Sequence, residues 1–268
     1  MSAPTATTPR TQPRTTTAFS TESGSRRADR VRLFAQPAAV VLIVGGVLGW
    51  AFARDNDAIE AQSIQAGVLL EKTWEHLLIT AVVAAIVVVV AVPLGVLVTR
   101  SWARFAAPVV IAVANIGQAA PALGVLVLYF LWTGQDGLWA AALPIAFYSL
   151  LPVLRNTVTG IGSVDPAVVD AGRGTGMSGR GVLLRIELPL AVPLILAGLR
   201  TSLVLAVGTA TLAFFVNGGG LGELVDTGYK LNRVPVLVVG AVLAVGLALL
   251  VDWIGALLEE YLGPKGLS

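Results

Sequence analysis

Few residues in this 268-residue chain could do chemistry, and their spacing limits what that chemistry can be. There is one histidine, His76, and no cysteine, which excludes multi-histidine metal sites, thiolate chemistry and disulfides within the chain. A literal G-x-G-x-x-G runs from Gly174 to Gly179. A dinucleotide fingerprint needs a strand before it in a βαβ unit, and long apolar runs flank it here instead. No G-x-x-x-x-G-K-[ST] occurs, so the chain has no P-loop of its own for ATP. What stands out is DAGRGTGMSGRGVLLRIELP, from Asp170 to Pro189, a charged and glycine-dotted block between apolar stretches. Its chemistry is that of a docking surface for a soluble partner. Asp165 or Ser163 can cap a short helix that has Pro166 at its first position. That helix is expected over Ala167 to Ala171, with glycines 172, 174 and 176 loosening its C-terminal side. Tied at both ends to apolar helices, it would act as a lever.

A second set of residues is polar but uncharged and lies within apolar runs: Asn115 and Gln118, then Thr209, Thr211 and Asn217. Such groups either bond helix to helix or line a water-filled path, and both readings stand. Tyr129, Trp132 and Tyr148 have faces that could meet a quaternary ammonium, but they are read first as packing aromatics. His76, beside Trp74 and Glu75, is read as an interfacial anchor. Asp252 is read as a solvated or paired carboxylate near the inner end of the last apolar run.

The elements that must hold these residues are membrane helices. The chain is 56% hydrophobic and only 13% charged, against about 25% charged for soluble domains, and its mean hydropathy is +0.81. Apolar runs at about 37–53, 77–99, 106–132, 138–154, 190–216 and 234–258 are near or above the ~17–25 residues that cross a bilayer as a helix. No period-two alternation supports a barrel. The expected fold is therefore all-α, a polytopic membrane bundle of about six transmembrane helices. Prolines 93, 108, 121, 144, 152 and 193 are expected to be tolerated within the spans. Residues 1–33, rich in Thr, Ser, Pro and Arg, read as a disordered basic tail that is solvated or touches anionic lipid. Residues 34–69 read as an extra first span with an outer loop. Ala38 to Gly49 followed by Ala51-Phe52-Ala53 also has the form of a signal-peptide core, but the long tail before it favours an uncleaved span.

Charge sets the orientation. With the N-terminus inside, thirteen Lys and Arg residues fall in inner segments, including Arg100, Arg104, Arg155, Arg173, Arg180 and Arg185, and four fall in outer ones. Both termini are then cytoplasmic, in a multi-pass protein of the plasma membrane. Arg200 is left over and is expected to snorkel to the inner interface.

The polar block resembles the EAA motif of importer permeases driven by ATP-binding cassette proteins. Asp170-Ala171-Gly172, three residues, Gly176, nine residues, Ile186, one residue and Leu188-Pro189 keep its spacing throughout. Asp170 stands for Glu and Gly172 for Ala. Gly172 costs the helix about 1 kcal/mol relative to Ala. Thr73-Trp74-Glu75-His76, Pro93-Leu94-Gly95, Leu151-Pro152-Val153-Leu154-Arg155-Asn156-Thr157, Gly208-Thr209-Ala210-Thr211 and Gly218-Gly219-Gly220-Leu221-Gly222 are similar, in order, to the glycine betaine, carnitine and choline branch.

The resemblance covers roughly residues 70 to 260 and implies a permease domain over 70–262, with its coupling loop at about 156–188. It implies a methionine-importer-type permease fold and a translocation path formed with a second permease subunit. It also implies cytosolic ATPase subunits that carry ATP and Mg, and an extracytoplasmic substrate-binding protein. Asp170, Ala171, Gly172, Gly176, Ile186, Leu188 and Pro189 would meet the ATPase. Asn115, Gln118, Tyr148, Thr209, Thr211 and Asn217 would be candidates for the path. No bond chemistry, cofactor, metal or nucleic acid is expected of this chain. Permeases for methionine, a sulfonate or a phosphonate share the loop motif. An ion-gradient-driven carrier or channel, or a membrane anchor, are the readings from other classes.

Overall fold

The computed structural model describes residues 21–262, with side chains from residue 34 to residue 261. Among them there are helices and turns but no strand. The first helix, α1 (Thr21–Phe52), begins inside the stretch expected to be an unstructured tail. A helix already nucleated by an apolar span extends cheaply through Arg, Ala and Leu, which are good helix formers. The tail expected over residues 1–20 lies outside the described residues.

A capped turn, α2 (Ala58–Ser63), leads to α3 (Ala66–Thr99). At 1.5 Å per residue α3 is about 50 Å long, more than a bilayer needs, so its first turns reach past the apolar layer. After the turn at Arg100–Ala103 come a short 3-10 segment and α4 (Ala107–Ala119), then α5 (Ala122–Thr133) and α6 (Leu138–Gly162). The coupling segment contains α7 (Pro166–Gly174) and α8 (Gly179–Val182), and a π-turn over Leu183–Glu187 joins α8 to α9 (Leu188–Ala210). A 3-10 turn at Ala213–Val216, α10 (Gly222–Lys230) and α11 (Val234–Leu262) complete the described chain.

Five stretches are long and apolar enough to cross a membrane unbroken: Phe34–Phe52, Ala66–Thr99, Leu138–Gly162, Gly179–Ala210 and Val234–Tyr261. The expected straight third span is instead a pair, α4 and α5, bent by 99°. The break falls at Ala120-Pro121. The proline ring pushes the residue before it out of the helical region, and Ala120 sits at ψ 144°. Pro37, Pro93, Pro144, Pro152 and Pro193 lie inside helices without this effect. The pair still crosses. Arg104, just before α4, lines the same cleft as Arg100 and Glu187, while Gly137, just after α5, donates its N–H to Val216 O beyond the far end of α9.

α6 is the central helix. It packs against α3, α9, α4 and α5. Small residues let it approach closely. A β-carbon on Gly95 would meet Thr157 at 2.7 Å, and one on Gly198 would meet Pro152 O at 2.7 Å. Ser202 Oγ donates to Ser149 O at 2.7 Å across the same contact. Val83, Val87, Ile145, Val153, Leu154 and Ala206 form the core here. A second cluster, with Ala51, Leu69, Leu224 and Val239, joins α1, α3, α10 and α11.

Candidate functional site

The site begins with one short helix and how it stops. Asp165 accepts the Ala167 N–H at 2.8 Å and Pro166 occupies the first turn, as the sequence requires. α7 runs to Gly174, beyond the expected Ala171, and ends in a Schellman motif. Met177 N donates to Gly172 O at 3.2 Å and Gly176 N to Arg173 O at 2.9 Å. Gly176 has φ +87°, the left-handed position of that motif, and open space around it. It terminates the helix and does not loosen it. Gly172 differs. It is buried, and a β-carbon there would lie 2.5 Å from Ile186 Cδ1. The departure from Ala therefore creates the socket for Ile186, so two motif residues fourteen positions apart form one contact.

Ser178 caps α8 by accepting the Gly181 N–H at 3.2 Å. The helix then widens into the π-turn, where the Leu188 N–H reaches back to Leu183 O. Pro189 explains the widening. It has no N–H for the carbonyl four residues before it, and its ring crowds that carbonyl. Asp170 and Ala171 are exposed on α7, Leu188 is half-buried and Pro189 is exposed. Arg173 lies 3.7 Å from Asp170, both largely in solvent, a contact of little energetic weight. Val168, Met177 and Leu184 are also exposed, giving a mixed apolar and charged surface.

One residue inside the motif was missed by sequence reasoning. Glu187 is 7% exposed, and Arg100 Nη2 lies 2.7 Å from its Oε2. This pair ties the end of α3 to the π-turn. Beside it lies a cleft of about 520 Å³ lined by Arg100, Arg104, Arg173, Arg180 and Glu187. The excess of arginine at this end of the bundle was legible; the carboxylate that organises it was not.

At the opposite end, His76 is fully buried, which corrects its reading as an interfacial anchor. Its Nδ1 accepts the Leu221 N–H at 3.3 Å, so its Nε2–H donates to Val207 O at 3.0 Å. The two backbone partners fix a neutral tautomer. Glu75 accepts the Gly220 N–H at 2.8 Å, and Lys72 bridges Glu75 at 3.0 Å and Glu223 at 2.6 Å. Gly219 and Gly220 sit at φ +78° and +92°, and a β-carbon on Gly219 would collide with the Glu75 carboxylate. The T-W-E-H and G-G-G-L-G motifs thus form one latch between α3 and the loop before α10.

The candidate path residues are not all brought together. Asn115 Oδ1 accepts from Arg155 Nη2 at 2.9 Å, and Gln118 and Tyr148 are half-buried. Thr209 is buried with its hydroxyl donated to Leu205 O. α9 ends at Ala210, so Thr211 and Asn217, expected in this span, lie beyond the helix. Thr211 donates to Gly208 O, and Asn217, at φ 54°, donates to Asp136. Two arginines were also misplaced. Arg155 is in the body of α6, not in a loop. Arg200 does not snorkel: its Nε and Nη2 grip the Asp252 carboxylate at 2.6 and 2.9 Å, and Gly255 leaves room for its stem. Gln36 Nε2 on α1 reaches the same carboxylate at 3.2 Å, so Asp252 is paired. No group of three His, Cys, Asp or Glu side chains that could hold a metal is present among the described residues.

A bundle of membrane-spanning helices with an exposed short helix tethered between two spans is the architecture of a transport permease. The chain belongs to the family of binding-protein-dependent transport system inner membrane components, whose model matches residues 91–262. It is 42% identical over 213 residues to the glycine betaine/carnitine/choline transport system permease protein OpuCB of Bacillus subtilis, covering 80% of this chain and 97% of that one. It is 34% identical over 215 residues to the osmoprotectant import permease protein OsmW of Salmonella typhimurium, covering 79% and 99%. A chain from an inward-facing structure of the MetNI methionine ABC transporter superposes with TM-score 0.64 at 25% identity, covering 72% of this chain and 95% of that one. The resemblance read from the motifs, and the methionine-importer type of fold it implied, are borne out.

Proposed function

We propose that this chain is the membrane-spanning subunit of an ATP-driven importer for osmoprotectants: glycine betaine, carnitine, choline or related quaternary ammonium solutes. One observation carries the mechanical part. α7 is fastened to the π-turn by Ile186 in the Gly172 socket; it follows α6 and leads through α8 and the π-turn into α9. A push on the exposed face of α7 therefore moves two spans together. The solute class rests on the relatives, whose names specify these compounds.

In this reading the end that carries α7 faces the cytoplasm, with both termini there, in agreement with its arginines. Two ATPase subunits, which bind ATP and Mg, clamp Asp170, Ala171 and the surrounding surface. Gly172, Ile186, Leu188 and Pro189 pass the motion on, and Gly176 sets where the lever ends. The arginine-lined cleft complements an acidic partner surface. A second permease subunit closes the path, and an extracytoplasmic binding protein delivers solute to the far end. Asn115, Gln118 and Tyr148 face the path, while Thr209, Thr211 and Asn217 hold its outer end together. ATP can drive the change of state only by binding the two conformations with different affinity. The chain itself catalyses no bond chemistry.

The test is uptake of labelled glycine betaine in a strain lacking its own importers, with the full partner set supplied. Uptake that requires the ATPase is expected. No uptake of any quaternary ammonium solute removes the solute reading and leaves the architecture. Transport by the purified chain alone in liposomes removes the ATP-driven reading.

A further inference from the structure

Two arginines in the bodies of long helices, Arg155 in α6 and Arg200 in α9, differ in one respect. Arg200 is neutralised by Asp252, with Glu259 at 3.8 Å. Arg155 has no carboxylate partner among the described residues; its one bond is to the neutral Asn115. α6 is covered over much of its surface by four other helices. The side chain nevertheless lies on the open strip of α6, with Leu143, Phe147 and Thr159 at four-residue steps, interrupted only by buried Leu151.

Nor does Arg155 lie at the end of its helix. Its Cα lies seven residues before Gly162, or about 10 Å of helix from that end. The Cα–Cβ bond of a helical residue tilts towards the helix N-terminus, here away from that end. Asn115, which holds the guanidinium, lies eight residues into α4, about 12 Å from Ala107. An unpaired cation held within a span is costly against lipid. It faces a water-filled cavity or an anionic group that arrives there.

We infer that Arg155 is a selectivity residue of the translocation path and that it receives the carboxylate of zwitterionic quaternary ammonium solutes. The inference rests on the osmoprotectant reading and adds a ligand group to it. The bond to Asn115 engages one of five guanidinium donors, and the others suit a carboxylate in the bidentate manner. The absence of a resident carboxylate is then functional, because a permanent partner would compete with the solute. Glycine betaine and carnitine carry both the trimethylammonium and the carboxylate. Choline has a hydroxyl instead, offers nothing to the charge, and is repelled by it. The open strip thus favours the zwitterions over the plain cation, independently of the binding protein.

The experiment uses the assembled transporter in proteoliposomes, with its ATPase and binding protein, and measures uptake of glycine betaine, carnitine and choline. Arg155→Gln is expected to lower the betaine-to-choline ratio of maximal rates by about tenfold or more. KM, set by capture on the binding protein, should stay within about twofold, and ATPase co-purification should be unchanged. Arg155→Lys should restore part of the ratio, a single ammonium replacing the planar fork. An equal loss for all three solutes, or an unchanged ratio, overturns the inference. If Arg155→Gln does not assemble, Asn115→Ala serves. It keeps the charge but removes the acceptor that orients it, and the ratio should fall several-fold; an unchanged ratio again overturns the inference. A wild-type transporter that carries choline alone defeats this inference and leaves the osmoprotectant reading. One that carries none of the three defeats that reading itself.

Discussion

Ile186 Cδ1 lies 2.5 Å from where a β-carbon on Gly172 would be placed, so α7 and the π-turn that leads into α9 share one socket. The consequence depends on size. With Gly172→Ala the contact is to the flexible end of Ile186, which can shift, and Ala gains about 1 kcal/mol of helix propensity. Uptake and ATPase activity should both stay close to wild type. Gly172→Leu cannot be absorbed in this way. Overpacking of this kind costs about 1–3 kcal/mol and should prise α7 from the π-turn. The expected result is ATP hydrolysis that continues while uptake per ATP falls at least several-fold. Equal coupling ratios in the two variants would show that the socket transmits nothing.

Gly176 makes a separate prediction, because its requirement is conformational. Nothing lies near a β-carbon there, yet φ is +87°. Gly176→Ala should therefore cost about 1–2 kcal/mol through the left-handed backbone alone. Gly176→Asn should cost less, since Asn tolerates that region. The measurement is ATPase retention on the purified permease: glycine highest, asparagine intermediate, alanine and leucine lowest. A ranking by side-chain volume instead would refute the backbone explanation.

The contrast between these two glycines shows what the sequence could and could not convey. The apolar run lengths and the D-A-G to L-P spacing carry the spans and the short polar helix between them, because length and periodicity are local properties. Spacing alone cannot say whether a glycine provides space, as Gly172 does, or a dihedral angle, as Gly176 does. Nor does it distinguish Pro121, which breaks a span, from Pro93, Pro144, Pro152 and Pro193, which do not. The break also needs Ala120 to have turned extended, with Phe147 packed on Gly117 beside it. His76 was misread because its partners, Val207 and Leu221, are backbone groups 131 and 145 residues away. Arg200 was misread because its partner Asp252 is 52 residues on.

The Arg100–Glu187 pair should be a strut between α3 and the lever. Breaking a fully buried pair by removing one partner costs about 3–5 kcal/mol. This one is partly open on the Arg100 side, so the cost should be smaller. Arg100→Ala leaves Glu187 buried without its cation and should damage coupling more than Glu187→Gln, which leaves arginine free to reach solvent. The double variant Arg100→Ala/Glu187→Gln should recover part of the loss in uptake per ATP. Additive effects in that cycle would mean the two side chains act independently.

The latch at the far end makes a stability prediction. His76→Phe keeps the ring volume but leaves the Leu221 N–H and Val207 O buried without partners. Each such loss costs about 1–3 kcal/mol. In a chain of this size that lowers the detergent-solubilised melting temperature by about 5–10 °C. His76→Gln retains a donor and an acceptor on one side chain and should recover part of that drop. Glu75→Gln should cost under about 1 kcal/mol, because Lys72 keeps Glu223 and the surrounding charges are partly solvated. The three variants thus separate backbone satisfaction from surface charge. If His76→Phe melts with the wild type while Glu75→Gln does not, the latch is held by its ion pairs and the histidine bonds are dispensable.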